Sequence, residues 1–349
     1  MPRVALVMIA RDEARCIARC LASAKPHVDE MIVVDTGSTD DTVAIARSLG
    51  ARVETFAWID DFSAARNASL DHSDADWNLI LDADNWLTGG FEALSPENLQ
   101  RPPFLGEVRI ENQFEGSSGP ETNVNWIARL LSRGVRYEGA IHEQPVSSLP
   151  RRRVALTLGH DGYEGEQRAR KAGRNERLLR AELLRTPDDP YILFQLGSEL
   201  QAADRWAEAA DLFVRALPLS GQADPYRHAL VVRALFTLKN AGRHDEALQL
   251  TEAEFELWPM SPDFFFAVGD LYLDWGLHNP DQAMKEALPL VEYCWLRCLE
   301  IGEQPDLEGS VRGRGSWLAA HNLSVFYGTL RMAEKAAAYA ALAAEMRGR

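Results

Sequence analysis

The chain has 349 residues, of which 46% are hydrophobic and 26% charged, enough to bury a sizeable core and to hold two domains. Its formal net charge of -15 and acidic pI near 5.0 exclude a protein that tracks a nucleic-acid backbone, which needs a basic stripe to displace counterions. The opening apolar run Val4 to Ala10 stops at Arg11-Asp12-Glu13. It is too short to span a membrane and has no small-residue cleavage site, so a cytoplasmic location is expected.

Val4 to Ala10 reads as a buried strand, followed by a polar turn and a helix over Glu13 to Ser23. The next unit repeats the rhythm: strand Met31 to Val34, polar turn Asp35-Thr36-Gly37-Ser38-Thr39-Asp40, and a helix from Asp41 to Leu49 closed by Gly50. Arg52 to Phe56 is a third strand. A helix over Ser63 to Leu70 leads to the fourth, Trp77 to Leu81. Strand and helix in alternation imply a parallel sheet with right-handed crossovers, whose ligands bind beyond the carboxyl ends of the strands. Asp35, Asp82 and Asp84 fall at those ends.

Between about 100 and 160 the strands are mixed: Gly106 to Asn112, Trp126 to Leu131 and Val154 to Leu158, with the Gly/Ser/Pro-containing segment Glu115 to Thr122 expected to be a lid-like loop. From Arg168 to Leu184 a long helix connects to a helical half. There Leu193, Leu196, Gly197, Leu200, Ala209, Phe213 and Ala216 fit the small/large pattern of a tetratricopeptide helix pair. A looser second copy holds Val231, Ala234, Leu238, Ala247 and Thr251. A third starts near Pro262 with Gly269 and Tyr272 and is interrupted around Leu277 to Ala287; Trp317 to Tyr327 and Ala333 to Met346 make a last pair. An ordinary helical bundle is the alternative. A domain boundary is expected at 165, giving residues 1–165 and 166–349. The cysteine pairs Cys16/Cys20 and Cys294/Cys298, each at i,i+4, read as buried reduced thiols rather than a zinc site.

The run Leu79-Ile80-Leu81-Asp82-Ala83-Asp84 sets two carboxylates at a strand end, where hard oxygen donors suit Mg²⁺ or Mn²⁺ bridging a diphosphate. Taken alone, such a pair more often just solvates a loop. Its companions are informative. Val33 to Asp40 resembles the first-crossover signature of the inverting family-2 glycosyltransferases with the α/β GT-A fold, Rossmann-like with a mostly parallel sheet. Leu81-Asp82-Ala83-Asp84 resembles their Asp-x-Asp motif, and Ala65-Arg66-Asn67 their Arg-Asn on the preceding helix. Arg129-Leu130-Leu131, Gly139-Ala140-Ile141-His142-Glu143 and His160-Asp161-Gly162-Tyr163 are similar to later motifs of the subgroup whose catalytic domain precedes an all-α tetratricopeptide-like repeat domain. That subgroup includes sublancin-type peptide S-glycosyltransferases, and lipopolysaccharide-core glucosyltransferases share the Gly-x-x-His-Glu element.

The resemblance implies a UDP-sugar donor, a Mn²⁺ or Mg²⁺ cofactor, and a hexose transferred with inversion to a peptide, protein or glycan acceptor. It implies that Asp35 bonds the base with Ala10 and Arg11 lining the pocket, that Arg66 and Arg129 sit at the donor, and that Asp82 serves the ribose or the metal through water. Asp84 is then the direct metal ligand and Glu143 the base. Either His142 or His160 supplies a further metal ligand, and His142 belongs to the catalytic set. Thr36, Ser38 and Asp40 have the bland reading of helix capping, Arg66 of a surface salt bridge, and Trp126, Tyr137 and Tyr163 of core aromatics. Asn85 departs from the family, which usually has an acidic residue there. A decayed catalytic domain serving as a scaffold is the reading from a different class; a homo-oligomer is left open.

Overall fold

The computed structural model describes residues 1–116, 119–160 and 165–348, without the side chains of 112–121, 123 and 165–172. The chain divides into two compact units, Met1–Gln113 with Asn125–Leu178 and Phe114–Val124 with Leu179–Arg349.

The first unit is built on strands β1 (Val4–Ala10), β2 (Glu30–Asp35), β3 (Arg52–Thr55), β4 (Trp77–Ile80), β5 (Asn85–Gly89), β6 (Leu105–Gly116) and β7 (Gly119–Ser132), then the short β8 (Arg136–Glu138) and β9 (Gln144–Val146), and β10 (Arg151–His160). The order across the sheet is β3-β2-β1-β4-β7-β6-β10-β5. β3, β2, β1 and β4 run parallel, β7 is antiparallel to β4, β10 is parallel to β6, and β5 closes the edge antiparallel to β10. Their near-continuous apolar sequences match burial on both faces. Helices α1 (Ile17–Ala24), α2 (Thr42–Ser48), α3 (Phe62–Asp71) and the single turn α4 (Pro96–Leu99) fill the crossovers. Leu6, Met8, Val33 and Leu79 meet Ile17 and Leu21 of α1 in one core layer, while Val7, Ile32, Ile80 and Leu131 join Leu70 of α3 in the other. The parallel half thus forms as the apolar periodicity predicts, making a mostly parallel GT-A-like α/β sheet.

The mixed half differs from expectation. Within Glu115 to Thr122, expected to be a loop, the described residues are strand: β6 reaches Gly116 and β7 starts at Gly119, while Ser117 and Ser118 lie outside the described residues. Glycine and proline mark a turn but do not set how far the flanking strands run. Asp161, Gly162 and Tyr163 also lie outside the described residues.

The helix α5 (Gly165–Arg185) contains the division between the units, at Leu178/Leu179, beyond the 165/166 boundary read from the sequence. In the second unit α6 (Pro190–Ala202) packs on α7 (Trp206–Ala216), and α8 (Arg227–Asn240) on α9 (His244–Glu254). α10 (Pro262–His278) packs on α12 (Leu288–Ile301) across the interruption, a turn α11 (Pro280–Gln282) and a π-helical stretch Ala283–Ala287. β11 (Ser310–Val311) pairs with Asn123 and Val124, and α13 (Trp317–Thr329) packs on α14 (Ala333–Arg347). The repeat signature has a steric basis here. A Cβ on Gly197 would come within 2.6 Å of the Phe213 ring, and one on Gly269 within 2.7 Å of the Trp295 ring, so both glycines admit close helix approach. Pairs of this kind are what tetratricopeptide-like repeats are made of.

The four cysteines are buried free thiols, two in each unit, with burial pushing Cys294 up to about 12. No helix of the described residues is long and apolar enough to cross a membrane.

Candidate active site

The carboxyl ends of β1, β2 and β4 make one edge, with Ala10 level with Asp35 and Val7 level with Ile80. Beyond it, the loop after β1 is laced to the turn after β2. Asp12 Oδ1 accepts from the Thr39 amide (2.7 Å), the Asp12 amide donates to Ser38 Oγ (3.0 Å), and the Ala14 amide donates to Asp40 Oδ2 (3.0 Å). Asp12 holds a left-handed φ of 54°, a conformation short polar side chains tolerate. Ala10 is buried, its carbonyl accepting from the Thr36 amide, whereas Arg11 is exposed near Asp12. Asp35 is buried and accepts from the amides of Gly37 (3.1 Å) and Ser38 (3.2 Å), tying off its own turn. Ser38 and Asp40 thus brace loop to loop, and Asp40 also receives the Thr42 amide.

After β4 the chain turns over Asp82 to Asn85. The Asn85 amide donates to the Asp82 carbonyl (2.9 Å) while Asn85 Oδ1 accepts from the Asp82 amide (3.3 Å). The residue that departs from the family pattern therefore closes this turn from a buried position. Asp82 points to two arginines: Arg66 Nη2 donates to Oδ1 at 2.7 Å and Arg129 Nη2 to Oδ2 at 2.5 Å. Burial works against the charge on Asp82, but Arg129 and Arg66 outweigh it and hold the carboxyl far below its usual range. Arg129 reaches it because β7 runs antiparallel to β4 with Leu130 opposite Leu79, placing Arg129 one residue nearer the edge.

Arg66 is buried in the middle of α3, whose N-terminus is capped by Asp61 accepting from the Ala64 amide. Its Nε donates to Glu143 Oε1, so one guanidinium joins Asp82 to Glu143, with the Tyr137 ring centroid 5.6 Å away. Burial alone would weaken that cation, yet Asp82 and Glu143 hold it protonated. The surface salt bridge envisaged for Arg66 is thus a buried network. The neighbouring Asn67, given no role from sequence, bonds both backbone groups of Tyr137, Nδ2 to its carbonyl and Oδ1 from its amide, each at 2.9 Å. This fixes the β8–β9 hairpin, whose loop Gly139 to Glu143 carries the Gly-x-x-His-Glu element; the Phe62 amide further holds the Ala140 carbonyl at 2.8 Å.

The two histidines separate. His160 ends β10 level with Asn85, which sets its Nε2 3.4 Å from Asp84 Oδ2. His142, at a left-handed φ of 50°, lies in the hairpin loop; its Nε2 is buried without a hydrogen-bond partner, and burial lowers its pKa against the opposing pull of Glu143. The second carboxylate expected at the metal, Asp82, is engaged by arginines, which leaves the Asp84 carboxylate and the His160 imidazole next to each other. Neighbouring ligands of an octahedral ion held at about 2.1 Å stand roughly 3.0 Å apart, close to the spacing found. Two donors of suitable chemistry thus stand at a spacing a divalent ion tolerates, and buried Arg66 Nη1 and Arg129 Nε, on the arginines that hold Asp82, have no hydrogen-bond partner. Tyr137 is core, not a sugar platform, and Trp126 lies under Arg153 at 4.6 Å.

The mostly parallel α/β unit carries this acidic and cationic cluster at its strand ends, and its residues 5–137 match the family model described as glycosyl transferase family 2. Over those residues the N-terminal unit is similar to glycosyl transferase family 2 domains. A TPR repeat-containing protein of Synechococcus elongatus is 35% identical over 226 residues, 59% of this chain and 56% of the relative. The SPbeta prophage-derived glycosyltransferase SunS of Bacillus subtilis is 29% identical over 267 residues, 73% of this chain and 63% of the relative. The chain thus spans somewhat more than half the length of these relatives. Among solved structures, glucosyl-3-phosphoglycerate synthase from Mycobacterium tuberculosis, determined with Mn²⁺ and UDP, is 26% identical over 32% of this chain and 44% of its own, with a TM-score of 0.27.

Proposed function

We propose that this protein is a metal-dependent inverting glycosyltransferase that moves a hexose from a UDP-sugar to a peptide or protein acceptor, with the helical repeats contributing to acceptor binding. The observation that carries the reading is the pairing of Asp84 with His160 beside Arg66 and Arg129, a cation site next to phosphate donors. Arg66 and Arg129 present partnerless buried nitrogens suited to diphosphate oxygens. A bound Mn²⁺ or Mg²⁺ would act as Lewis acid for the leaving diphosphate.

Asp35 and the laced loops after β1 and β2 offer a rigid wall for the base, with Ala10 and Arg11 at its rim. Asp82 orients the two arginines and, through Arg66, Glu143. Glu143 is the proposed base: it takes the acceptor proton as the acceptor attacks the anomeric carbon from the face opposite the diphosphate. An acidic acceptor such as a cysteine thiol needs little help from a base, because its thiolate forms readily. His142, in the same loop, belongs to the proposed catalytic set as a neutral imidazole, the form that burial favours.

Repeat arrays grip extended segments along their concave surfaces, which supports a peptide acceptor. The test is UDP-sugar hydrolysis by the purified protein with and without Mn²⁺, together with thermal protection by UDP plus metal. Metal-dependent release of UDP is expected; failure to bind UDP with either Mn²⁺ or Mg²⁺ would overturn the reading in favour of a scaffold.

A further inference from the structure

Away from the sheet edge, His244, Asp274 and His278 bring one donor atom each to within 4.8 Å of one another. Asp274 and His278 are four residues apart on α10 and so share one face of the helix. His244 comes from the first residue of α9. Its Nε2 is 2.7 Å from Asp274 Oδ2, His278 Nδ1 is 3.8 Å from the same oxygen, and the two imidazole rings stand 5.1 Å apart.

From this geometry we propose a transition-metal site, formed by His244, Asp274 and His278, that clips α9 to α10. Two imidazole nitrogens and one carboxylate oxygen suit Zn²⁺ and its neighbours Co²⁺ and Ni²⁺, not the oxygen-seeking Mg²⁺. Three protein ligands leave a fourth position for water. The side chains grade from 15% exposed at His244 through 34% at Asp274 to 64% at His278, so the ion has an entry path and one ligand free to swing onto it. His278 Nδ1 now lies 2.9 Å from the Asp274 carbonyl. Rotation of this exposed side chain exchanges that contact for the ion. The competing account is a plain His244–Asp274 ion pair with His278 bonded to the end of its own helix.

The experiment uses the full chain, free of affinity tag and stripped with chelator, in a D84N background that removes the carboxylate proposed for the sheet-edge metal. Zn²⁺ is titrated and retained metal counted after dialysis; Co²⁺ serves as the spectroscopic probe through its visible d–d bands. One Zn²⁺ per chain, d–d bands of a low-coordinate ion and a rise in Tm on the order of 5 °C at saturation are expected. All three are lost when H244A or H278A is added, with far-UV circular dichroism confirming that the helices persist. H278N, at the most exposed position, is the second check. Zn²⁺ bound equally by the histidine variants, or none bound by the D84N chain, would overturn the site and leave the ion pair.

Discussion

His160 Nε2 stands 3.4 Å from Asp84 Oδ2 because the last residue of β10 is level with Asn85, the residue following Asp84. Two segments 76 positions apart are thus brought to one point by strand register alone. In the proposed reaction, His160→Ala raises the Mn²⁺ concentration needed for half-maximal UDP-sugar hydrolysis. Removing a partner outside the coordination sphere already costs about 10–100-fold in metal affinity, and loss of a direct ligand costs no less. Asp84→Asn abolishes metal-dependent turnover. A His142→Ala enzyme whose metal requirement rose as much as that of His160→Ala would remove the distinction drawn between the two histidines.

Arg66 joins Asp82 to Glu143, so its loss takes the cation from Glu143 and leaves Asp82 with Arg129 alone. Arg66→Ala is expected to destabilise the first unit by about 3–5 kcal/mol, the usual cost of breaking a buried pair on one side. Arg66→Lys keeps the charge but not the fork that serves both partners. It should fold more stably than the alanine variant and still lose kcat. Asn67→Ala leaves the amide and carbonyl of Tyr137 without their side-chain partner, at about 1–3 kcal/mol for each group left buried and unsatisfied. Urea unfolding of the three variants measures the stability losses; turnover on the same preparations measures the effect on the hairpin loop. If Asn67→Ala kept full stability and turnover, its pinning role would be lost.

The parallel half was legible because its strands are buried on both faces and so read as apolar runs ending in polar turns, as in Val4 to Ala10 and Met31 to Val34. The Asp-x-Asp pair was legible as a pair. The resemblance also set Asp84 apart from Asp82, but the arginine partners of Asp82 were not legible: it meets Arg129 through the antiparallel pairing of β4 with β7, a long-range register that no local pattern encodes. The same holds for His160 and Asp84. The hairpin of β8 and β9 escaped notice because each strand has only three residues and no alternation to detect. Asn67 carried a signal, standing next to Arg66 in a recognised motif, but an exposed-looking amide on a helix gives no sign that it holds a backbone elsewhere. In the helical unit, Gly197 and Gly269 were legible for a steric reason, since small residues recur where helices approach closely.

Acid should destabilise the protein in two stages. Burial lowers the pKa of both His142 and His228 below the ordinary histidine value. The unfolded chain therefore binds protons that the folded chain refuses, and stability falls as pH drops below about 6.5, by at most about 1.4 kcal/mol per pH unit for each group. Asp82 adds a second loss at lower pH: its depressed folded pKa contributes stability that is present above the unfolded value and disappears as pH falls below about 4. Thermal melts from about pH 2 to 8 follow both stages. His142→Gln should flatten the first, since its Nε2 has no partner to lose. An unchanged slope between pH 5 and 6.5 in that variant would show that His142 does not take part.

Gly159 ties packing to the site more closely than any catalytic side chain does. It lies on β10 level with Trp86 of β5, and a Cβ there would come within 2.4 Å of the indole, far inside contact distance. The indole cannot retreat freely, because Arg19 of α1 is stacked on it at 3.6 Å. Gly159→Ala must therefore push β10 away from β5 or force Trp86 off its rotamer, at about 1–3 kcal/mol for overpacking. The next residue along β10 is His160, so the displacement reaches the Asp84 pair before it reaches any other part of the site. The expected result is a lower urea midpoint together with a raised Mn²⁺ requirement, while UDP-dependent thermal protection at saturating metal persists. Trimming the indole should relieve the clash: Gly159→Ala with Trp86→Leu is expected to recover the metal requirement more than the stability, since the large ring's packing is not replaced. A Gly159→Ala protein with an unchanged Mn²⁺ requirement would mean that the register of β10 against β5 does not govern the distance between His160 and Asp84.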